Sequence, residues 1–341
     1  NKWLQERRPR AQHSNTGGMW HRAARCLLAA CCGLMAPACH GLRGRNPDEA
    51  KILPKDSEAN ILPFTTPPGE PSFSASCKPF VGKRILLVTV NFEYYEMLQN
   101  WYYYARPYFT SHDQLVVLVE DEDLEEEISR NGNWAFVDME GNLHYESGSK
   151  KKLMKLSPPY GTQGYNEIVN KRPAKIGAFL DQGCTVLYSD IDMVWMSNPF
   201  KEIAAAGAHD LILADDDCQG KGKDFTRADD GVRMKLCTAF MYLQPTRDSR
   251  QFMEKWYSYE SPDMGNQGPF NRALEEDYRG PGEVDYTLLP FEKFPPGCRA
   301  EDFYNQSVIL HANYFVGLDT KVEFLKKYGV WHMNNASQTV D

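Results

Sequence analysis

The sequence predicts an α/β fold with a mixed, mostly parallel sheet and helices on both faces. Apolar runs of strand length alternate along the chain with stretches of helical periodicity, the pattern of sheets whose strands are connected by helices. Of the 341 residues, 42% are hydrophobic and 25% are charged, as in an average globular domain, which excludes disorder along the whole chain. The formal net charge of −8 argues against a nucleic-acid-binding protein, which normally carries a basic patch.

The predicted elements begin at residue 84. The apolar, β-rich run Arg84–Val90 predicts the first strand, and an aromatic-rich helix at 93–108 and a buried strand at 115–119 follow it. The acid run Glu120–Glu127, with seven acids in eight residues, is interpreted as the solvated start of a helix. Later strands are predicted at 184–190, 211–214, 238–243, 287–289 and 307–310, and later helices at 247–260, 268–277 and 319–328.

Residues 173–183 carry the boundary signals of a helix. Pro173 stands at the predicted first helical position, and Gly183 stands where the helix would end. Between them, Ile176, Phe179 and Leu180 form an apolar stripe at helical spacing. The strand predicted at 184–190 follows directly.

The N-terminal part predicts a secretory address. Residues 1–18 are interpreted as a non-native or untranslated leader, and residues 19–38 combine a basic start, a short apolar core and an Ala-Pro-Ala site. That combination is typical of a signal peptide, with a short type II signal anchor as the alternative. Residues 39–80, rich in Pro, Ser and Glu, predict a stem, and residues 81–335 predict the folded domain. The expected location is the Golgi lumen, or outside the cell after secretion, with membrane contact only through an anchor.

The cysteines outside the leader fit an oxidising compartment. None of them has the C-x-x-C spacing of a zinc or redox site. Cys184, in an apolar strand, is interpreted as a free core thiol. The candidates for disulfides are Cys77, Cys218, Cys237 and Cys298. Two glycosylation sequons, at Asn305 and Asn335, agree weakly with the same compartment.

Two aspartates at the end of a predicted buried strand form the first candidate site. Asp190 and Asp192 follow the apolar run that begins at Cys184. Ligands of open α/β sheets bind at the carboxyl ends of the strands. Carboxylates spaced i, i+2 can face one divalent cation if the backbone bends there, and oxygen ligands suit Mg²⁺ or Mn²⁺.

A second candidate site lies near the C-terminus. A strand ending at His311 is followed by a loop containing Gly317 and by Lys321 at the start of a helix. His311 can complete a metal shell. Gly317 permits close approach of the backbone to phosphates, which Lys321 and the helix N-terminus would neutralise.

Four ordered segments make the pattern specific. The segments are LDQGCTVLYSDIDMVWMSNPF (180–200), LCTAFMYLQPT (236–246), NQGPFNRAL (266–274) and HANYFVGLDTKVEFLKKYGVW (311–331). The first of them is preceded by Tyr165-Asn166, Lys171-Arg172-Pro173 and Lys175. Across residues 84–331 the chain resembles the nucleotide-diphospho-sugar transferases, a family of retaining glycosyltransferases that includes α-xylosyl-, arabinosyl- and galactosyltransferases. The resemblance implies a GT-A-type nucleotide-sugar-binding fold, Mn²⁺ or Mg²⁺, a donor such as a UDP-sugar, and a glycan or glycoprotein acceptor.

Site roles follow from the same resemblance. It implies that Asp190 faces the nucleotide ribose and the metal, and that Asp192 and His311 ligate the metal. It also implies that Gly317 and Lys321 hold the diphosphate. The remaining donor-binding candidates are Thr89, Asn91, Lys171, Arg172, Asn266 and Asn313.

The candidates nearest the reaction are Gln267, Asp215 and Asp216. The resemblance implies that Gln267 lies near the reacting sugar carbon. Asp215 and Asp216 end a predicted strand and could bind donor hydroxyls or assist as a nucleophile. The chain departs from the family at Asn266, where an aspartate is usual, and at Ala239, where a glycine is common.

Two alternatives of other classes stay open. One is a haloacid-dehalogenase-type phosphatase that uses Asp190 as a nucleophile, although its later motifs are spaced wrongly here. The other is a secreted glycan-binding pseudoenzyme of the same fold, which the change to Asn266 would allow.

Overall fold

The computed structural model describes residues 84–130, 144–147, 158–222, 235–280, 282 and 284–333. The predicted leader (1–18), signal segment (19–38) and stem (39–80) lie outside these ranges, as do Cys77 and Asn335. Among the described residues, no helix has the length and apolar character of a membrane span.

Seven strands form the central sheet. The strands of the described chain are β1 (Arg84–Val90), β2 (Asp113–Val119), β3 (His144–Ser147), β4 (Thr185–Ser189), β5 (Met193–Trp195), β6 (Leu211–Asp215), β7 (Leu236–Leu243), β8 (Tyr286–Leu288) and β9 (Ile309–His311). The order in the large sheet is β3-β2-β1-β4-β7-β6-β8, and β5 pairs with β9 in a separate two-stranded sheet. In the large sheet only β7 is antiparallel to its neighbours, β4 and β6. The predicted mixed, mostly parallel sheet is confirmed.

Helices cover both faces of the sheet, as predicted. They are α1 (Tyr95–Ala105), α2 (Glu122–Arg130), α3 (Gln163–Val169), α4 (Arg172–Asp181), α5 (Pro199–Ala206), α6 (Arg247–Ser258), α7 (Gln267–Arg279), α8 (Ala300–Phe303) and α9 (Leu318–Lys327). Successive side chains of a strand point to opposite faces. Leu86 and Val88 of β1 accordingly pack with α1 and α9, while Ile85 and Leu87 pack with α4, α6 and α7.

Local sequence rules explain where the elements next to the site begin and end. Pro173 lies in the first turn of α4, where a missing N–H costs nothing. Gly183 follows the helix with a φ of 81°, which glycine adopts without strain. Asn198 caps α5 by accepting a hydrogen bond from the N–H of Phe200.

The interpretation of the acid run as solvated is wrong for its first two residues. Glu120 and Asp121 are buried. Asp121 accepts hydrogen bonds from the N–H groups of Phe92 and Leu124 and so caps α2. Glu120 lies 3.2 Å from the ammonium of Lys171. A buried carboxylate requires such partners, and composition alone does not reveal them.

Two cysteine assignments are also wrong. Cys184 is disulfide-bonded rather than free, and Cys237 is a buried free thiol rather than half of a disulfide. Two of the other candidates, Cys218 and Cys298, form a disulfide with each other across a separation of 80 residues.

Candidate active site

The two sheets together bring Asp190, Asp192 and His311 to one place. The N–H of Asp190 donates a hydrogen bond to the carbonyl of Ala239. This bond extends the pairing of β4 with β7 by one residue. The chain then turns into β5, where Met193 lies opposite His311 of β9. Asp192, which immediately precedes β5, therefore lies beside His311.

The geometry of these three side chains fits a divalent cation. One ligand atom from each residue lies within 4.8 Å of the others. Asp192 Oδ1 lies 3.4 Å from His311 Nε2 and is buried without a hydrogen-bond partner. A buried carboxylate oxygen without a donor is costly unless a cation binds it. Oxygen and imidazole donors also suit Mn²⁺ and Mg²⁺.

Lys321 reaches the same carboxylate from α9. Its Nζ lies 2.5 Å from Asp192 Oδ2 and 2.9 Å from the carbonyl of Ala312. Burial raises the pKa of Asp192, but Lys321 and His311 outweigh burial and hold that pKa well below its usual range. Gly317, with a φ of 91°, occupies the N-cap position of α9. His311, a predicted metal ligand, and Lys321, a predicted diphosphate-binding residue, therefore contact the same carboxylate, that of Asp192.

Asp190 is held by an arginine and a tyrosine. Its Oδ1 lies 3.0 Å from Arg172 Nη2 and accepts a hydrogen bond of 2.8 Å from the hydroxyl of Tyr188. The Arg172 guanidinium also lies over the Tyr188 ring and donates to the carbonyl of Thr238. Burial raises the pKa of Asp190, and Arg172 opposes that rise. Because both contacts fall on Oδ1, the second oxygen is the one that can face a metal.

Of the two predicted catalytic carboxylates, only Asp216 meets Gln267. Asp216 Oδ2 accepts a hydrogen bond of 2.7 Å from Gln267, and Oδ1 accepts one of 2.5 Å from Asn313. Burial raises the pKa of Asp216. Asp215 instead accepts from the backbone N–H groups of Asp217 and Gly222 and organises the loop after β6.

The other donor-binding candidates have contacts of their own. Thr89 Oγ1 lies 3.4 Å from the hydroxyl of Tyr188, and Asn91 caps the turn after β1. Lys171, just before α4, pairs with Glu120. Asn266, just before α7, is buried and its Nδ2 has no hydrogen-bond partner.

Sequence reasoning missed two tyrosines of the site. Tyr188 precedes Asp190 by two residues, so strand alternation could have placed both on one side of β4. Tyr314 has a φ of 67° and its hydroxyl donates to the backbone carbonyl of Asp216. A positive φ in a tyrosine leaves no signal in sequence patterns.

Comparisons with known proteins give a family model and several relatives that match the chain. The family model of the nucleotide-diphospho-sugar transferases matches residues 110–325, more than half of the chain. An Arabidopsis thaliana UDP-D-xylose:L-fucose alpha-1,3-D-xylosyltransferase is 30% identical over 197 residues, which cover 52% of this chain and 52% of that protein. A Dictyostelium discoideum UDP-galactose:fucoside alpha-3-galactosyltransferase is 24% identical over 196 residues, covering 52% of this chain and 30% of that protein. The chain spans about half the length of the first of these relatives.

Similar solved structures include two transferases. Galactosyltransferase LgtC, with donor and acceptor sugar analogs, has a TM-score of 0.45 and 11% identity, covering 75% of this chain and 97% of that chain. Mouse xyloside xylosyltransferase 1 has a TM-score of 0.40 and 12% identity, covering 69% of this chain and 99% of that chain.

Proposed function

Because the chain belongs to the nucleotide-diphospho-sugar transferase family, we propose that it is a metal-dependent retaining glycosyltransferase. It would move a sugar from a nucleotide-diphosphate donor to a glycan or glycoprotein acceptor. The observation that carries the proposal is the cluster of Asp190, Asp192 and His311, whose ligand atoms all lie within 4.8 Å of one another. Family membership leaves the phosphatase alternative without support.

The three residues of this cluster would hold Mn²⁺ or Mg²⁺. The ion, when bound, neutralises negative charge on the diphosphate of the donor. Lys321 would add a second positive charge, since its ammonium already lies at Asp192 and a flexible lysine can reach a neighbouring phosphate. Gly317, which carries no side chain, leaves the N-terminus of α9 open to the phosphates.

The donor is proposed to be a UDP-sugar, as the names of the two relatives suggest. Xylose and galactose are the sugars named there. The nucleotide part of the donor would be bound by Thr89, Asn91, Lys171 and Arg172. The sugar part would be bound by Asn266 and Asn313.

Transfer replaces one bond at the anomeric carbon with another. The bond from that carbon to the diphosphate oxygen breaks, and its electron pair leaves with the diphosphate. The acceptor hydroxyl oxygen forms the new bond, and its proton passes to the departing diphosphate oxygen. Asp216 and Gln267, which hydrogen-bond to each other, would lie beside this carbon. Asp216 would bind a donor hydroxyl or serve as a transient nucleophile.

The compartment is proposed to be the secretory pathway, either anchored in the Golgi lumen or secreted. The disulfide between Cys218 and Cys298 supports an oxidising environment. The leader pattern of residues 19–38 points the same way.

A screen of sugar nucleotides for metal-dependent hydrolysis tests the function without knowledge of the acceptor. UDP-xylose or UDP-galactose should be hydrolysed with Mn²⁺. Asp192→Asn should lower the rate by at least about tenfold to a hundredfold, because loss of a charged ligand should cost no less than loss of a residue that only supports a ligand. Asp263→Asn, which neutralises an exposed carboxylate elsewhere, is the matched control and should match the wild type.

Two results would overturn the proposal. One is hydrolysis that does not depend on metal or on Asp192. The other is tight binding of UDP without turnover of any donor, which would instead support the glycan-binding pseudoenzyme that Asn266 allows.

A further inference from the structure

Tyr314 combines a strained backbone with an exposed ring. It is the only non-glycine residue in the described ranges with a positive φ, 67°, a conformation that a bulky side chain adopts only when its surroundings impose it. Its hydroxyl donates to the carbonyl of Asp216, and burial raises the pKa of that hydroxyl. The residue is nevertheless 53% exposed. The polar end is thus anchored while the apolar ring faces solvent.

The loop around Tyr314 is fixed on both sides of this residue. Asn313 donates to Asp216 and accepts a hydrogen bond from the N–H of Gly297. Phe315 packs on Phe324 of α9, with ring centroids 4.5 Å apart. Because Phe315 faces inward, the residues on either side of it remain outside, and Val316 is 61% exposed. The side chains of Tyr314 and Val316 are therefore exposed to solvent on a loop that is held in place by these contacts.

The position of this loop matters because of stereochemistry. The proposed diphosphate site, Gly317 and Lys321, begins three residues after Tyr314. In a retaining transfer the acceptor oxygen ends on the face of the anomeric carbon that the diphosphate leaves, whether attack is direct or follows a transient nucleophile. The acceptor sugar must therefore lie beside the diphosphate. It must also lie near Asp216, which Tyr314 contacts.

We propose that Tyr314 and Val316 form the platform for the acceptor sugar. The C–H face of an acceptor pyranose packs on the Tyr314 ring. The reacting hydroxyl of this pyranose then points towards the anomeric carbon of the donor, next to Asp216. Aromatic rings suit this task because they offer a large apolar surface at little cost in conformational entropy. The inference rests on the proposed function, because the retaining reaction fixes the side from which the acceptor approaches.

The test measures binding of glycosides to the protein with Mn²⁺ and UDP, so that no turnover is needed. The probes are methyl α-L-fucopyranoside, methyl β-D-xylopyranoside and methyl α-D-galactopyranoside. Their binding is measured by saturation-transfer NMR and calorimetry. Tyr314→Gly removes the ring and accepts the positive φ. Tyr314→Phe keeps the ring and removes only the hydroxyl. Tyr278→Ala removes a tyrosine that is 60% exposed near the far end of α7 and serves as control.

The expected pattern separates acceptor binding from donor binding. Tyr314→Gly should lower the affinity for the glycoside by about tenfold or more, while its affinity for UDP stays near that of the wild type. Tyr314→Phe should retain most of the glycoside affinity, and Tyr278→Ala should retain all of it.

Three results overturn the inference. These are equal glycoside affinity in Tyr314→Gly and wild type, a parallel loss of UDP affinity in Tyr314→Gly, and no binding of any probe by the wild type. Failure of the proposed function looks different. In that case no donor is hydrolysed in the screen, yet glycoside binding still depends on the ring of Tyr314.

Discussion

Replacement of Lys321 by methionine should change metal and nucleotide affinity in opposite directions. The Lys321 ammonium lies 2.5 Å from Asp192 Oδ2, and the two side chains are 17% and 11% exposed. This lysine therefore contacts a carboxylate that the proposed metal site also uses. Methionine has a similar length and no charge, so it removes the competing cation and leaves the carboxylate in place.

The magnitude follows from the contact that is lost. A hydrogen bond to a charged group contributes about 1.5–3 kcal/mol, or about tenfold to a hundredfold in affinity. Mn²⁺ should therefore bind Lys321→Met more tightly than the wild type by up to that factor when no nucleotide is present. UDP, measured at saturating Mn²⁺, should bind Lys321→Met more weakly by a similar factor, because the lysine no longer meets the diphosphate.

Free Mn²⁺ can be followed by its electron paramagnetic resonance signal, and UDP binding by calorimetry. Lys321→Arg keeps the positive charge and is the matched control, with metal affinity close to that of the wild type. Removing one partner of a largely buried pair should also lower the stability of metal-free Lys321→Met by up to about 3–5 kcal/mol, and Mn²⁺ should restore it. Unchanged or weaker Mn²⁺ binding in Lys321→Met would refute the competition between lysine and metal.

Two further predictions concern stability. Replacing Cys218 and Cys298 by serine opens a cross-link across 80 residues, and the chain-entropy estimate for such a loop is about 4.5 kcal/mol. Urea unfolding measures this loss, and unchanged stability would contradict the estimate. Burial raises the pKa of Glu260 to about 8, against the opposing effect of Arg172, so the folded state keeps a proton that the unfolded state releases near pH 4.5. Stability should therefore fall as pH rises from 4.5 to 8, and Glu260→Gln should reduce that fall; a pH profile identical to that of the wild type would contradict this assignment.

Local signals in the sequence are enough to single out Asp190 and Asp192 as candidates. The strand β4 and the aspartates that follow it are readable because an apolar run ends abruptly in charge. The spacing made His311 a candidate to complete a metal shell, and the family resemblance implied that it is a metal ligand. Its position beside Asp192 depends on the pairing of β5 with β9, two three-residue strands more than a hundred residues apart. A strand was predicted at 307–310, but strands that short carry too little pattern to show which strand they pair with.

The two neighbouring aspartates show a second limit of sequence reasoning. Asp215 and Asp216 were equivalent candidates, because both follow the same apolar strand. Asp215 is the last residue of β6 and turns to the backbone amides of the next loop. Asp216 instead meets Gln267 and Asn313. Which carboxylate faces the site is decided by hydrogen-bond donors far away in the sequence.

The change from the usual aspartate to Asn266 has a physical explanation in the surroundings of Trp256. The indole N–H of Trp256 donates to the carbonyl of Asn266, and the indole also interacts with the side chain of Glu260. The backbone of Asn266 and the side chain of Glu260 therefore both meet this indole. Both oxygens of Glu260 are buried, and burial already raises its pKa. Asn266 is itself buried, and burial penalises an ionised aspartate at this position but not a neutral amide. The amide avoids that penalty, and its buried, unpaired Nδ2 becomes a hydrogen-bond donor where the family pattern offers an acceptor.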